Sequence, residues 1–291
     1  MTAIIRHSGL TALRAAAYNF APFTFTEPEM GGSARGRVIP LSPARRVVCE
    51  LMRHARRVPS LPLSRECDVR VLAAARKRSG PGASWVGLFM KAYGVVAQRH
   101  PALRRAYIPY PYPRLYEHPH STCTVLVERE WHGDPVVLGA KVVSPETAPL
   151  ALIDEHLRRF REDDVWSVSP FRQVLRLGGQ PWPLRRFAFW SSLYFSGAKR
   201  AKRFGTFMLS SLGAQGVEQQ HPLTPLTTYL TFGPIRADGR VTAKLIYDHR
   251  VIDGRQVARA LVDLEHVLNT TLADELRAAA PREARLFGAL S

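Results

Sequence analysis

The spacing of apolar residues between positions 241 and 268 indicates a strand, a turn and a helix. Residues 241–247 alternate apolar and polar side chains with β-branched content, which predicts a half-buried strand. Apolar side chains then recur at helical spacing over residues 257–268. The turn between them holds His249, and Asp253 stands where its carboxylate can cap a helix that opens with Gly254. The pattern therefore places a histidine between the end of a strand and the start of a helix.

Further elements follow from the same reasoning. Ser42 is a suitable N-cap for a helix with Pro43 at its first position. Other helices are predicted over residues 85–104 and 147–161, and strands over residues 122–128, 135–142, 226–233 and 240–247. Turn residues at 131–134 and 236–239 join these strands in pairs. The mixture of helices and strands predicts an α/β fold.

The first 35 residues differ in composition from the rest. Arg6 and Arg14 precede the first acidic residue, Glu27, which is a composition also found in organelle transit peptides. Residues 27–35 combine proline, glycine and serine as linkers do. We predict an N-terminal arm or linker over residues 1–35 and a single domain over residues 36–291.

Composition permits one large domain and gives no sign of a metal site. The 291 residues are 46% hydrophobic, which is enough for a substantial core. The three cysteines lack metal-like spacing, so neither a disulfide framework nor a metal is predicted. His118 and His120 have a spacing that a metal could use, but no further ligand lies nearby in sequence, so a solvated loop is predicted. No apolar run approaches the roughly 18 residues needed to span a bilayer, and a cytoplasmic location is predicted.

A strong positive charge extends over the whole chain. The formal net charge is +17, and the isoelectric point is about 10.6. Such a charge favours polyphosphates, which include a phosphorylated cofactor, nucleic acid and an anionic membrane. The sequence carries no helix-turn-helix, zinc-finger or RNA-binding signature, so a nucleic-acid partner is not predicted.

Two short motifs resemble those of one enzyme family. Residues 247–254, YDHRVIDG, resemble the HxxxDG signature, in its DHRxxDG form, of the dihydrolipoamide acyltransferases that form the catalytic cores of 2-oxoacid dehydrogenase complexes. The chloramphenicol acetyltransferases share the HxxxDG core. Residues 205–213, GTFMLSSLG, are similar to the GTFTISNLG segment of the same acyltransferases, and residues 39–46 are similar to the opening of their catalytic domain. The two motifs occur in the family's order.

The resemblance implies a fold, a reaction and an assembly. The implied fold is a chloramphenicol acetyltransferase-like α/β two-layer sandwich, in which helices cover a mixed β-sheet and the chains form a trimer. The implied reaction moves an acyl group between coenzyme A and a thiol or other acceptor supplied in trans, without a metal. The active site would lie between two subunits of a homotrimer or of a higher multiple of trimers.

Each site residue receives a role from the same resemblance. His249 would be the general base, since an imidazole with an unperturbed pKa near ~6.5 accepts a proton around neutral pH. Ser210 would donate a hydrogen bond to the oxyanion, and the Ser211 hydroxyl is a rival for that role. Asp253, followed by Gly254, would support the histidine and be held by Arg45. The alternative interpretation from the residues alone is a surface Asp-His pair ahead of an ordinary helix.

The chain also departs from the family's pattern. Residues 163–204 form an insertion, in which an aromatic run at 187–195 lies between basic clusters. Three interpretations remain open: a membrane-surface helix within residues 181–203, the lid of an acyl-chain pocket, or a helix packed on the trimer or the core. The 35 residues before the domain are expected to hold neither a lipoyl domain nor a partner-binding domain. The chain is therefore expected to be an acyltransferase that meets its acceptor in trans, or else an inactive scaffold of a trimer-based, shell-like assembly.

Overall fold

Helices and strands follow one another along the chain much as the apolar spacing predicts. The computed structural model describes residues 36–79 and 83–279. Residues 36–40 have no regular secondary structure, and the elements below lie from Leu41 onward. The predicted arm at residues 1–35 and the end of the predicted domain at residues 280–291 lie outside the described residues.

The strands are β1 Ser60–Asp68, β2 Arg105–Ile108, β3 Arg114–Glu117, β4 Thr122–Trp131, β5 Asp134–Val143, β6 Phe207–Ser210, β7 Thr228–Phe232 and β8 Arg240–Asp248. The helices are α1 Pro43–Ala55, α2 Arg70–Arg78, α3 Trp85–Arg99, α4 Leu150–Glu162, α5 Ser169–Gly179, α6 Trp182–Tyr194, α7 Gly197–Phe204, α8 Gly254–Val267 and α9 Ala273–Ala279. Short 3₁₀ turns cover Pro101–Arg104 and Gly213–Gln215, and a π-helical turn at Leu268–Leu272 joins α8 to α9.

Six of the strands form one mixed sheet in the order β1-β8-β7-β6-β4-β5. The pairs β7–β6 and β6–β4 are parallel, and the other neighbours are antiparallel. β2 and β3 form a separate antiparallel ribbon. The predicted α/β fold with a mixed sheet covered by helices is confirmed.

The two faces of the sheet are covered differently, because side chains alternate between faces along each strand. One face carries the main hydrophobic core, in which Val125, Leu138 and Leu209 pack with buried residues of α3, α4 and α8. The opposite face carries a smaller cluster built on Met208 and Tyr229. Helices α1 and α5 contact β5, the strand at one edge of the sheet.

Two predicted elements differ from those observed. β8 is buried along almost its whole length, not half-buried, because both of its faces are covered: Ala243 and Leu245 pack in the main core, and Ile246 packs in the smaller cluster on the opposite face. The helix predicted over residues 85–104 ends at Arg99. His100 has a ψ of 79°, outside the helical range, and Pro101 follows it, so the chain continues as a 3₁₀ turn.

Residues 163–204 fold mainly as α5, α6 and α7. The last of these helices ends at Gly205, whose φ of +82° is unfavourable for other residues. A Cβ there would also lie 2.8 Å from the carbonyl oxygen of Thr122. The glycine that opens the GTFMLSSLG motif therefore lets the chain turn from α7 directly into β6. Across the described ranges, no helix is both long and apolar enough to cross a membrane.

Candidate active site

His249 lies in the tight turn that leads from β8 into α8. Its backbone N–H donates to the carbonyl of Pro59 at 3.1 Å, which ties the turn to the start of β1. On either side, Arg250 and Asp248 form a two-pronged ion pair with N–O distances of 2.9 and 2.7 Å. The guanidinium of Arg250 also lies 4.5 Å from the centroid of the Tyr107 ring. These contacts hold the backbone on both sides of the histidine.

The His249 ring has one engaged nitrogen and one free nitrogen. Nδ1 lies 3.2 Å from the carbonyl oxygen of Ile252 and 3.8 Å from a carboxylate oxygen of Asp253. A carbonyl can only accept, so this contact requires the tautomer that carries its proton on Nδ1. Nε2 then carries the lone pair, and it has no hydrogen-bond partner among the described residues. The side chain is 47% exposed, so a substrate can reach it.

Asp253 and Gly254 start α8 as the sequence predicts. Asp253 is the N-cap residue, and its backbone N–H donates a hydrogen bond to the side-chain oxygen Oε1 of Gln256 at 3.3 Å. A Cβ on Gly254 would approach the Tyr247 hydroxyl to 3.1 Å, which accounts for a glycine at this position. Arg45 forms no ion pair with Asp253 in the part of the chain that the structure describes. The structure therefore does not bring these two predicted partners together within one chain.

Ser210 is buried at the carboxyl end of β6 in a chain of hydrogen bonds. Its hydroxyl donates to Oε1 of Gln219 at 2.6 Å and accepts from the hydroxyl of Tyr229 at 2.9 Å. Burial raises the pKa of Tyr229 to about 12, so its hydroxyl remains a donor at neutral pH. Lys244 anchors the segment that carries Gln219, because its Nζ donates to the Gln219 carbonyl at 3.3 Å and to the side chain of Gln220 at 2.8 Å.

The Ser211 hydroxyl is used by the backbone. It donates to the carbonyl of Phe232 at 2.8 Å and accepts from the N–H of Gly213 at 3.1 Å. Both bonds fix the turn that leaves β6. The Ser210 hydroxyl, by contrast, is hydrogen-bonded to the side chains of Gln219 and Tyr229 and not to the backbone.

Ser210 is the last residue of β6, and His249 follows the last residue of β8, which runs in the opposite direction. Ser210 is level with Thr231 of β7, which is level with Lys244 of β8. His249 lies five positions beyond Lys244 and two strands away from Ser210. At about 3.4 Å per residue and about 4.8 Å per strand, the two residues are roughly 20 Å apart in one chain. A single chain therefore cannot present both side chains to one small substrate.

Two residues of this region were not predicted from the sequence. Gln219 lies in the connection between β6 and β7, and Tyr229 lies in the strand predicted over residues 226–233. Their approach to Ser210 depends on the register of β7 against β6 and on the path of the connection between them. Tyr229 lies in β7, whose residues are all buried, and a buried tyrosine needs a hydrogen-bond partner for its hydroxyl. This need is the one signal that could have pointed to Tyr229.

The structure gives no metal site within the described residues, where no group of three or more His, Cys, Asp or Glu side chains could hold an ion. His118, predicted in a solvated loop, is instead buried and packs edge-on against Tyr116. Burial, followed by the charge of Arg200, lowers the pKa of His118 to about 4. The loop is held against the 3₁₀ turn before β2, because the His118 N–H donates to the Arg104 carbonyl at 3.0 Å and the Arg104 guanidinium donates to the Pro119 carbonyl at 2.9 Å.

Three solved structures resemble the chain over most of their length. A probable dihydrolipoamide acetyltransferase from Listeria monocytogenes is 18% identical, with a TM-score of 0.56 over 81% of this chain and 95% of that chain. The dihydrolipoamide acetyltransferase of Azotobacter vinelandii is 17% identical, with a TM-score of 0.60 over 85% and 97%. A truncated catalytic core of the 2-oxoacid dehydrogenase multienzyme complex from Thermoplasma acidophilum is 16% identical, with a TM-score of 0.58 over 81% and 99%.

No family model matches the sequence, and no curated protein matches it either. The likeness to solved structures is therefore one of three-dimensional arrangement, which holds where sequence identity is low. The resemblance predicted from the two motifs is confirmed at the level of the fold. The chain has the fold of the catalytic cores of dihydrolipoamide acetyltransferases.

Proposed function

We propose that this protein is a coenzyme A-dependent acyltransferase in which His249 is the general base and Ser210 the oxyanion donor. The observation that carries the proposal is the state of the His249 ring. Nδ1 faces a backbone carbonyl at 3.2 Å, and Nε2 is free on a half-exposed side chain. A base needs a fixed tautomer and an accessible lone pair, and this arrangement supplies both.

His249 moves one proton in the proposed reaction. A thiol with an ordinary pKa near ~8.5 is mostly protonated at neutral pH, so its sulfur needs a base as it attacks. Nε2 of His249 accepts the thiol proton while a new carbon–sulfur bond forms at the acyl carbonyl. The same nitrogen returns the proton to the departing thiolate as the old carbon–sulfur bond breaks. An acceptor hydroxyl or amine would be deprotonated in the same way.

Ser210 stabilises the charge that develops on the acyl oxygen between these steps. A neutral donor aimed at that oxygen lowers the barrier by roughly 3 kcal/mol in a site shielded from water. In the structure the Ser210 proton points to Gln219, so the hydroxyl must rotate from Gln219 to the substrate. The hydrogen bond from Tyr229 remains in place during that rotation and polarises the hydroxyl.

The distance between the two residues supports a site built from two subunits. Because His249 and Ser210 are roughly 20 Å apart in one chain, each would act with the other residue of a neighbouring chain. A head-to-tail ring repeats such a contact at every interface, and a trimer is the smallest closed ring of this kind. Arg45 and Asp253, which do not meet within a chain, would then be able to meet across this interface.

The solved structure from Azotobacter vinelandii supports the choice of residues. It was determined to examine a serine, a histidine and an asparagine in that enzyme's catalytic mechanism. The histidine and asparagine are four positions apart there, as His249 and Asp253 are here. The serine precedes that histidine by 52 positions, whereas Ser210 precedes His249 by 249 − 210 = 39.

The net charge of +17 is consistent with a polyphosphate substrate such as coenzyme A, although it identifies none by itself. The acceptor supplied in trans and the cytoplasmic location are part of the same proposal. Contact of residues 181–203 with a membrane surface remains a prediction. The exposed side chains of Trp182, Leu184 and Phe187 are its structural basis.

Loss of the two side chains should separate the proposed mechanism from a scaffold role. We expect His249→Ala to abolish release of free thiol from acetyl-coenzyme A in the presence of dihydrolipoamide, and Ser210→Ala to lower the rate by about two to three orders of magnitude. Ser211→Ala is the matched control, because its hydroxyl bonds only to backbone, and it should lower the rate by less than about tenfold. A folded protein with no turnover for any acyl group and acceptor would instead support the scaffold.

Mixed assemblies test whether the site lies between subunits. A trimer that contains both His249→Ala and Ser210→Ala chains has interfaces at which the intact histidine of one chain meets the intact serine of the next. If the two inactive variants are unfolded together and refolded, about a quarter of the interfaces in random trimers should be active. Refolding each variant alone is the control. No recovery in mixed trimers would show that the two residues do not act across an interface.

A further inference from the structure

A cavity of about 710 Å³ lies between the second face of the sheet and the helices above it. Its floor includes Leu126, Met208 and Tyr229, which come from β4, β6 and β7. Helices α1, α5 and α6 contribute to its walls, and the segment before β7 closes one end. The volume lies within the range of about 300–1,000 Å³ that is typical of small-molecule sites.

The lining is mainly apolar. Leu51 and Met52 project from α1, Val174 and Leu177 from α5, and Phe189 from α6. A cavity of about 150 Å³ with such a lining is already large enough to hold benzene and to stay dry. The present cavity is several times larger, so an extended apolar group would remove a large apolar area from water.

The charged side chains that line the cavity are all positive among the described residues. Arg45, Lys141, Arg176 and Arg203 contribute to its lining, and no aspartate or glutamate does so among the described residues. None of these four cations forms an ion pair within the described part of the chain. Burial and the nearby Lys202 lower the pKa of Lys141, as expected of a cation without an acidic partner. The electrostatic field in this cavity therefore favours an anion.

The cavity also connects with Ser210. Gln219 and Tyr229 both line it, and both hydrogen-bond the Ser210 hydroxyl. A ligand that fills the cavity touches the two side chains that position the proposed oxyanion donor. The inner face of α6 supplies Ala188 and Phe189 to the same cavity, whereas Phe187 points to solvent.

We propose that this cavity binds an amphipathic anion, with an unbranched acyl chain inside it and a negatively charged group beside Arg45, Lys141, Arg176 and Arg203. Residues 163–204 then act as the cover of an acyl-chain pocket. The identification of the chain as an acyl group rests on the proposed acyl transfer, whereas binding of an anionic amphiphile does not. The anion is either a free carboxylate or the phosphates of an acyl thioester, which share the same chemistry.

Binding of fatty acids, measured by calorimetry on the full chain without any turnover, tests the proposal. Affinity should rise about threefold to fourfold for each added methylene from hexanoate to decanoate, because each methylene leaves water for an apolar wall. Decanol, which lacks the charge, should bind at least about threefold more weakly than decanoate. Equal affinity for decanoate and decanol, or no dependence on chain length, would overturn the proposal.

Two pairs of variants locate the binding. Ala188→Phe fills the cavity from α6 and should weaken decanoate at least tenfold, whereas Leu184→Phe on the same helix does not line the cavity and should leave affinity unchanged. Arg176→Gln should weaken decanoate about threefold to fivefold, and Arg172→Gln removes an equal charge from the same helix without this effect. Unchanged affinity in both test variants would place the ligand elsewhere and refute the proposal.

Comparison of decanoate with decanoyl-coenzyme A distinguishes the two sources of the anion. Tighter binding of the thioester, with the same loss in Ala188→Phe, would assign the cavity to the acyl donor, and preference for the free acid would assign it to a carboxylate ligand. Failure of the binding proposal leaves acetyl transfer by His249 intact. Decanoate binding without any His249-dependent transfer would leave the cavity intact and remove the proposed function.

Discussion

At the scale of single residues, the hydrogen bonds of Ser210 make its role testable through a neighbour. Tyr229→Phe removes the donor that holds the Ser210 hydroxyl, at 2.9 Å in the structure, without removing the serine. We expect kcat to fall about fivefold with KM nearly unchanged, since a lost neutral hydrogen bond amounts to about 1 kcal/mol. Steady-state kinetics with acetyl-coenzyme A measure both parameters.

Tyr93 provides the control for that change. It is also buried, and its hydroxyl lies 2.6 Å from the hydroxyl oxygen of Thr228, on the main-core side of the sheet. Both Tyr93→Phe and Tyr229→Phe should lower the free energy of unfolding by about 1 kcal/mol, but Tyr93→Phe should leave kcat unchanged. An equal loss of kcat in both variants would mean that the tyrosines act through stability and not through Ser210.

At the scale of elements, the start of α8 both ends the motif and supports the histidine. Asp253 is the N-cap of this helix, whose apolar face packs into the main core. Asp253→Ala should lower the free energy of unfolding by about 1 kcal/mol, and Asp253→Asn should change it by no more than a few tenths of that amount, because asparagine is an equally good cap. Urea denaturation measures both values.

The same two variants separate capping from support of the His249 ring. Asparagine keeps the carbonyl oxygen near Nδ1 but lacks the carboxylate charge, so turnover should fall less than about tenfold in Asp253→Asn and further in Asp253→Ala. Equal activity of the two variants would show that Asp253 acts only as a cap.

At the scale of the whole molecule, two buried histidines should make stability depend on pH. Burial, followed by Arg57 for one and Arg200 for the other, lowers the pKa values of His54 and His118 to about 4. In the unfolded chain both titrate near ~6.5, so between pH 6.5 and 4 the unfolded state binds more protons than the folded state. Stability is therefore complete above pH 6.5 and declines as the pH falls through this window.

The expected loss is of the order of 2 kcal/mol for each histidine at pH 5. Denaturation at pH 7.5 and pH 5.0 should show this loss in the wild-type chain and about half of it in His54→Phe or His118→Phe. His266→Phe is the control, since His266 is exposed and is not among the charges that lower the pKa of either buried histidine, so its replacement should leave the pH dependence unchanged. An undiminished pH dependence in both test variants would mean that other groups cause it.

Much of the local structure could be predicted from the amino-acid sequence, and the candidate residues were also chosen from it. Apolar spacing located most of the strands and helices, because short-range spacing and turn chemistry depend only on neighbouring residues. His249 and Ser210 were identified through the resemblance of two motifs to those of the acyltransferase family. The sequence did not determine that β8 is buried on both faces, or that the helix after Trp85 ends at Arg99. Those outcomes depend on which strands become neighbours and on a local backbone angle.

The arrangement of the candidate residues could not be predicted from the sequence, because it depends on how distant segments pack. Strand order and register separate His249 from Ser210. They also bring Gln219 and Tyr229 to the serine, from which they are 9 and 19 residues away along the chain. The cavity likewise arises because three helices of residues 163–204 cover a sheet face together with α1. Pairing and packing of distant segments have no local signal, since they follow from the burial of surfaces that the sequence specifies only jointly.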